Sequence, residues 1–348
     1  MKIAVIGSGI FGSSIALILS KKHKIYLFES QKSIMQGATR ANQLRFHKGY
    51  HYPRSSKTVQ NIKNAKGSFI RYFGSNLFGK TNNYYAIANN KSRTSYKKYI
   101  NFLKKNKLEY KIIKQRKLEK ISNLIKVKEK NLNYFKIKKY ISKKIYKNKN
   151  IKLFLNQNIN IKDLKKYDKI IVATYSNNNT ILKKLNIKNL PKRRYELVEK
   201  IIIKLPKKYL NKSYVVLDGH FVCVDPYVGT NFHLLSDVKN SKIEVLKSSV
   251  LPNFKNIRKK FINKGIIKNR KISNFSKFIS HSSQFLHFLH QAKYIGSYYV
   301  VRTLKINKEK NDERLGEIRF QGKLISVLSS KWNTCIKIAN IINKKING

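Results

Sequence analysis

The residues Gly7-Ser8-Gly9-Ile10-Phe11-Gly12 form a Gly-x-Gly-x-x-Gly turn, a spacing suited to holding a pyrophosphate. Gly7 permits a tight turn out of a strand, Gly9 lets the backbone approach the phosphates, and Gly12 lets helix and strand pack closely. The helix start at Ile10 and Phe11 adds amide donors and a positive dipole end. Glu29 stands where an acidic side chain accepts the hydroxyls of an adenosine ribose. Its charge would repel a 2′-phosphate, which disfavours NADP. The plain alternative is a glycine-rich turn beside a surface glutamate. A second group of candidates lies in the polar stretch 37–54. His47 and His51 could take a proton from a substrate hydroxyl, since a neutral imidazole is basic near pH 7. Arginines could grip a carboxylate through the bidentate fork that lysine lacks. Arg302 leads these candidates, with Arg45, Arg54 and Arg314 behind it. His220, Tyr227 and His233 could line a substrate face, although ordinary sheet surface explains each of them equally well.

The elements that must position these residues follow from hydrophobic patterning. Residues 2–6 read as a strand buried on both faces, the next turn opens a helix running to about Lys22, and Lys24 to Phe28 form a second strand. The first thirty residues thus spell one βαβ unit. Residues 37–54 read as a long functional loop. A helix is expected over 57–79, interrupted at Gly67, Gly74 and Gly79, and Tyr84 to Ile87 read as a short strand. Residues 167–174 read as another buried parallel strand. Antiparallel sheet is expected over 194–250, then mostly helical sequence to about His290. A strand from Leu324 to Leu328, a Ser329-Ser330-Lys331 turn and a helix from Trp332 to Ile346 close the chain. In a doubly wound sheet, the turns after these strands meet at the carboxyl edge, where ligands bind.

Composition sets the background. The 348 residues carry 76 Lys and Arg against 16 Asp and Glu, a formal charge of +60, with 41% hydrophobic residues. That apolar content supports a folded core. Such a charge suggests nucleic acid, but 63 of the cations are Lys and only 13 are Arg, the better reader of phosphate and guanine. Lys, Asn, Ile, Tyr and Phe all have AT-dominated codons, so an AT-rich genome accounts for the composition without a polyanionic partner. Residues 97–152 hold 21 Lys and Arg against three Glu, which reads as the wet face of helices and strands. Cys223 and Cys335 form no CxxC, which excludes a disulfide scaffold and a thiolate zinc site and suits a reducing cytoplasm. Residues 3–20 are uncharged, but their glycine spacing argues for the cofactor turn over a signal peptide or membrane anchor. No Ser-His-Asp arrangement, paired carboxylates or Walker loop appears, and no metal site is expected.

Three segments resemble the D-amino acid oxidase-like (DAO) family of FAD-dependent oxidoreductases. The stretch from Gly37 to Tyr52 is similar to the family's flavin-contacting segment. Its Asn42, His47, Gly49 and Tyr52 look most like the loop of L-2-hydroxyglutarate dehydrogenases. The strand ending Ala173-Thr174 is similar to the family's Ala-Thr-Gly strand beneath the FAD, with Tyr175 in place of the glycine. The closing strand and helix resemble the element that presents a glycine-rich turn to the flavin, here replaced by Ser329-Ser330-Lys331.

The resemblance implies an α/β fold: a Rossmann-like FAD-binding domain with an inserted substrate domain built on a mixed or antiparallel sheet. The expected division gives residues 1–80, 133–190 and 296–348 to the FAD domain and 81–132 and 191–295 to the substrate domain. Gly7, Gly9, Ile10, Phe11, Gly12, Glu29, Thr39, Asn42, Ala173, Thr174, Ser330 and Lys331 would contact FAD. His47 and Arg302 would serve catalysis, and Arg45, His51, Tyr52 and Arg314 would bind substrate. In some relatives the histidine at the place of His47 instead attaches the flavin covalently, and a purely structural role is also open. The implied activity is oxidation of a CH–NH or CH–OH bond in a small anionic molecule such as an amino acid or 2-hydroxy acid. Two other readings stay open: a flavoprotein acting on a nucleotide sugar or tRNA, and a nucleic-acid-binding protein with a vestigial dinucleotide fold. A membrane role is not expected, and the sequence is silent on oligomeric state.

Overall fold

In chain order the strands are β1 (Lys2–Ile6), β2 (Lys24–Phe28), β3 (Arg45–Phe46), β4 (Asn82–Ile87), β5 (Tyr110–Ile113), β6 (Leu124–Val127), β7 (Lys130–Asn131), β8 (Ile151–Phe154) and β9 (Lys169–Val172). They continue as β10 (Arg193–Lys204), β11 (Lys212–Leu217), β12 (Val222–Pro226), β13 (His233–Asp237), β14 (Lys242–Ser248), β15 (Lys293–Lys305), β16 (Glu317–Gln321) and β17 (Leu324–Leu328). The helices are α1 (Ile10–Leu19), α2 (Ser56–Phe73), α3 (Tyr96–Lys105), α4 (Tyr134–Tyr146), α5 (Asn178–Lys184), α6 (Phe275–Ser282) and α7 (Cys335–Asn347). The computed structural model describes residues 1–113, 120–219, 221–306 and 312–348.

Strands buried on both faces make the first sheet, in the order β16-β17-β9-β1-β2-β8. The run from β17 to β8 is parallel, and β16 adds an antiparallel edge. Alternate residues of β1 enter different cores. Ile3 and Val5 join the layer of α1, α4 and α7, while Ala4 and Ile6 join Leu164, Tyr167 and Leu182 on the opposite face. The uncharged run at residues 3–20 is therefore β1, the glycine turn and α1, and every residue of α1 is buried. Among the described residues no helix is long and apolar enough to cross a membrane.

The second sheet has nine strands. Eight run β14-β10-β13-β12-β11-β4-β6-β5, and β15 pairs with β10 along its whole length. It is antiparallel except at β4 and β11. β15 carries residues 296–305 into this sheet, although the chain division expected them with the cofactor domain. The α2 helix runs through Gly67 and ends at Gly74, whose φ of +78° a side chain would resist. Residues 251–292 are not mainly helical. They hold short 3-10 turns and the single helix α6, because stretches rich in Asn, Ser, Lys and Gly lack a continuous apolar stripe. In the Lys-rich segment, Tyr99, Leu103, Ile137, Ile141 and Ile145 are the buried stripe of α3 and α4, and Ile112 is exposed.

Arg45 joins the long loop to the second sheet. Its guanidinium lies 2.7 Å from Asp225 and 2.9 Å from Glu129, and donates to Tyr85 Oη at 3.2 Å and Ser213 Oγ at 2.5 Å. The two carboxylates are fully buried. Replacing Arg45 with Met leaves both without their cation, and breaking such a buried pair costs about 3–5 kcal/mol. Denaturant unfolding of R45M is expected to read a loss of that order, and a loss within experimental error would refute the joint.

Candidate active site

One cavity of about 950 Å³ runs along the carboxyl edge of the first sheet and under the second. Turns after four parallel strands line it: Gly7 and Gly9 after β1, Glu29 after β2, Ala173 and Thr174 after β9, and Ser329 to Trp332 after β17. The glycines are required by contact as well as by spacing. A Cβ on Gly12 would stand 1.8 Å from the Gly7 carbonyl oxygen, and Gly7, at φ +96°, lies against the Ala173 carbonyl. Glu29 is held facing the cavity. Its Oε2 accepts from Ser8 N at 3.0 Å and Ser8 Oγ at 2.7 Å, and Oε1 accepts from Gln31 N at 2.9 Å. Ser30 Oγ also donates to Oε1 at 3.4 Å, so the roughly four acceptor sites of the carboxylate are occupied, and this longest contact is the one a ligand hydroxyl would replace. Thr39 accepts from Ile10 N at 3.1 Å and fixes the loop to the start of α1. Asn42 lines the cavity but spends its side chain on the Ala38 and Thr39 carbonyls and the Leu44 amide, so it shapes the loop.

Tyr175 follows Thr174 in the left-handed region, at φ +57°. A tyrosine there accepts a strain that glycine avoids. Its hydroxyl accepts from Thr303 N at 3.1 Å and donates to Thr303 O at 3.3 Å, which ties the first sheet to β15.

Deeper in the cavity an aromatic nest gathers His47, His51, Tyr52 and Phe221. The ring centroids of His47, His51 and Tyr52 lie 5.3–5.6 Å apart, and His51 stacks on Phe221 at 5.3 Å. His47 Nδ1 stands 3.6 Å from Glu129, an electrostatic contact longer than a hydrogen bond. Burial lowers the His47 pKa, partly opposed by Glu129 and reinforced by Lys331 and Arg45. Burial and then the neighbouring His47 lower His51 further. Both imidazoles are therefore neutral at pH 7. Lys331 lies with its ammonium 5.0 Å from the Tyr52 ring centroid, and burial together with Arg314 pulls its pKa down to about 7.

The anticipated arginines separate on inspection. Arg302 lines the cavity, with Nε donating to Glu196 at 2.7 Å. Arg314 lines it as well, with Asp312 at 2.5 Å and Ser330 Oγ donating to its carbonyl. Arg45 borders the cavity, yet its donors are consumed by Asp225, Glu129, Tyr85 and Ser213, so the expected role in binding substrate gives way to a structural one. Arg54 is clasped by Asp218 at 2.7 Å at the cavity's edge. Tyr227 and His233 are not in the lining. Tyr227 meets Tyr298 Oη at 3.1 Å and His233 meets the Tyr209 carbonyl at 2.9 Å. His220 lies outside the described residues. Sequence reasoning passed over Glu129, Arg194, Glu196, Lys200 and Lys242. The available signal was a charge interrupting a buried strand, as Glu196 and Lys200 interrupt β10.

Comparison with known proteins agrees with this architecture. Residues 2–129 match the family described as DAO, FAD dependent oxidoreductase. The match spans the N-terminal third of the chain. Its relatives include the FAD-dependent monooxygenase kojA of Aspergillus flavus, 37% identical over 74 residues, which are 21% of this chain and 17% of that protein. The chain therefore aligns with about a sixth of that relative's length. Among solved structures, L-alpha-glycerophosphate oxidase from Mycoplasma pneumoniae superposes with a TM-score of 0.72 at 12% identity, covering 100% of this chain and 94% of the other. Glycine oxidase from Geobacillus kaustophilus gives 0.69 at 11% identity, with 99% and 93% covered. L-proline dehydrogenase from P. horikoshii gives 0.70 at 12%, with the same coverages. At these identities the superpositions establish the DAO fold.

FAD is the cofactor of the DAO family, and the residues present suit it. The glycine cradle meets a helix start, Glu29 is poised for a ribose, and the cavity is at the upper end of the ~300–1,000 Å³ usual for ligand sites. Among the described residues, buried polar atoms of the lining that lack a hydrogen-bond partner include Gln43 Oε1, His51 Nδ1, Tyr52 Oη and Trp332 Nε1. Buried polar groups are normally satisfied, so their grouping in one cavity points to a bound polar molecule. Gly12→Ala is expected to yield protein without flavin absorbance after purification and FAD reconstitution. A yellow, stoichiometrically loaded G12A protein would show that the cradle is not the binding site.

Proposed function

We propose that the protein is an FAD-dependent oxidoreductase that oxidises a CH–OH or CH–NH bond of a small carboxylate-bearing substrate, such as a 2-hydroxy acid or amino acid. The observation that carries this reading is the continuity of one cavity from the glycine cradle to a neutral buried histidine and a cationic wall. The names of the glycine oxidase and the L-proline dehydrogenase that share the fold support an amino-acid-sized substrate.

FAD held along the glycine turn would supply a two-electron acceptor for the hydride lost by the substrate carbon. The chain's residues do the rest. His47, with Nδ1–H directed at Glu129, offers the Nε2 lone pair to the hydroxyl or ammonium proton that must leave as the carbon is oxidised. Glu129 orients that ring and is itself fixed by Arg45, by Tyr85 Oη at 2.5 Å and by the Lys48 amide at 2.9 Å. Arg302 retains donors beyond its bond to Glu196 and aligns the carboxylate. The aromatic walls of Tyr52 and Phe221 keep bulk water from the reacting carbon.

His47→Gln is expected to slow anaerobic flavin reduction by about 100-fold or more while leaving FAD content unchanged. Mass spectrometry after denaturation is expected to give the mass of the bare chain, and FAD retained on His47 would remove that residue as the base. Since burial lowers the His47 pKa, the base form persists below the usual value of about 6.5. The acid limb of kcat/KM is expected there and should vanish in His47→Gln.

A further inference from the structure

The cavity wall built by the second sheet holds more positive charge than one carboxylate can occupy. Arg194 and Lys200 stand on β10, Lys242 on the adjacent β14 and Arg302 on the adjacent β15, and all four line the cavity. One carboxylate, Glu196, serves two of them, with Arg194 at 3.0 Å and Arg302 Nε at 2.7 Å. Across the cavity Asp312 is taken by Arg314 at 2.5 Å. Lys200 donates to Ser236 Oγ at 2.6 Å. Among the described residues, no carboxylate lies within ion-pair distance of Lys200, Lys242 or Lys331. On this wall and the turns facing it, six cationic groups thus meet two carboxylates, Glu196 and Asp312, while Glu29 lies after β2, beside the glycine turn.

Gathering like charges away from water is unfavourable, and the lysines register the cost. Burial, then Arg302, lowers Lys200 to about 8, and burial chiefly lowers Lys242, opposed by Glu196 and reinforced by Arg302, Arg194 and Arg314. A site of this kind is relieved by a ligand that brings more than one negative charge. A single carboxylate against Arg302 leaves Lys200 and Lys242 without an ion-pair partner, under the more distant field of Glu196.

We propose that the substrate carries two negative charges, as a phosphomonoester or a dicarboxylate, and that one anionic group seats against Arg194, Lys200, Lys242 and Arg302. The proposal rests on the preceding reading only in taking this cavity as the substrate's. Two anionic groups also give orientation, since a molecule held at both ends presents one carbon and one face to the flavin.

The test titrates the full chain, loaded with FAD, with lactate, malate and glycerol 3-phosphate as probes at a pH of about 6, where the lysines are charged. Binding is followed by perturbation of the flavin spectrum and by thermal shift. At least one dianion is expected to bind about tenfold or more tightly than lactate, and the tighter of malate and glycerol 3-phosphate identifies the group. Lys242→Gln, at a half-buried position that tolerates the change, is expected to weaken that dianion by about tenfold and lactate by less than about threefold. Lys200→Gln is expected to do the same. Lactate binding as tightly as both dianions would overturn the proposal, as would both variants leaving the preference intact. The two readings fail separately. Protein that takes up no FAD refutes the oxidoreductase, while thermal shift on the same chain still reads the dianion preference.

Discussion

Burying a guanidinium is tolerable only when its donors and charge are answered, and at Arg45 the fold answers both with residues from three strands and the segment leading into a fourth. Asp225 comes from β12, Tyr85 from β4, Ser213 from β11, and Glu129 from the segment just before β7. Such a pair contributes little net stability compared with an apolar replacement, yet it admits few alternative arrangements. It therefore acts mainly on position. It fixes the loop that carries His47, His51 and Tyr52, and it fixes Glu129, the carboxylate facing His47. The Asn333 side chain, 3.0 Å from the His47 carbonyl, ties the same loop to the start of the closing helix. The candidate base is thus held from both sheets at once.

The same accounting changes the meaning of the overall charge. The chain has 16 acidic residues, and among the described residues six carboxylates are almost wholly buried: Glu129, Glu196, Glu199, Asp218, Asp225 and Asp237. Each has a structural partner. Asp218 holds Arg54, Glu199 gathers Ser273, Ser297 and the Asn274 amide, and Asp237 meets His281 at 2.9 Å. Acidic side chains have been kept where a buried donor demands an acceptor, while Lys fills much of the exterior. That pattern fits compositional drift on a solvated surface, where substitutions away from special features change stability little. The cavity is the exception, since there the excess of cations is enclosed.

Local patterning carried a large part of the architecture. The βαβ unit, the turn at Gly7 to Gly12, Glu29, the strand before Ala173 and the closing strand and helix were all readable, because each depends on short-range periodicity and on glycine geometry. The expectation of helix over 251–292 went wrong where polar sequence gave no apolar stripe to count. The place of residues 296–305 went wrong because a strand's own pattern does not name the sheet it joins. Arg45 was read as a substrate ligand because its type is right for one, and only its four partners, remote in sequence, reveal that its donors are consumed.

The sequence by itself determined the tight glycine turn between the first strand and the first helix, since the steric needs of Gly7 and Gly12 are local. It also placed His47, His51 and Tyr52 on one loop. Tertiary structure alone decided which charges face the cavity. Arg194, Lys200, Lys242, Arg302, Arg314 and Lys331 are up to 137 positions apart and look like six among 76 basic residues. They gather around one cavity because β10, β14 and β15 pair side by side and the closing turn lines the same space. Electrostatic energy depends on distance and burial, and neither is written in the order of the residues.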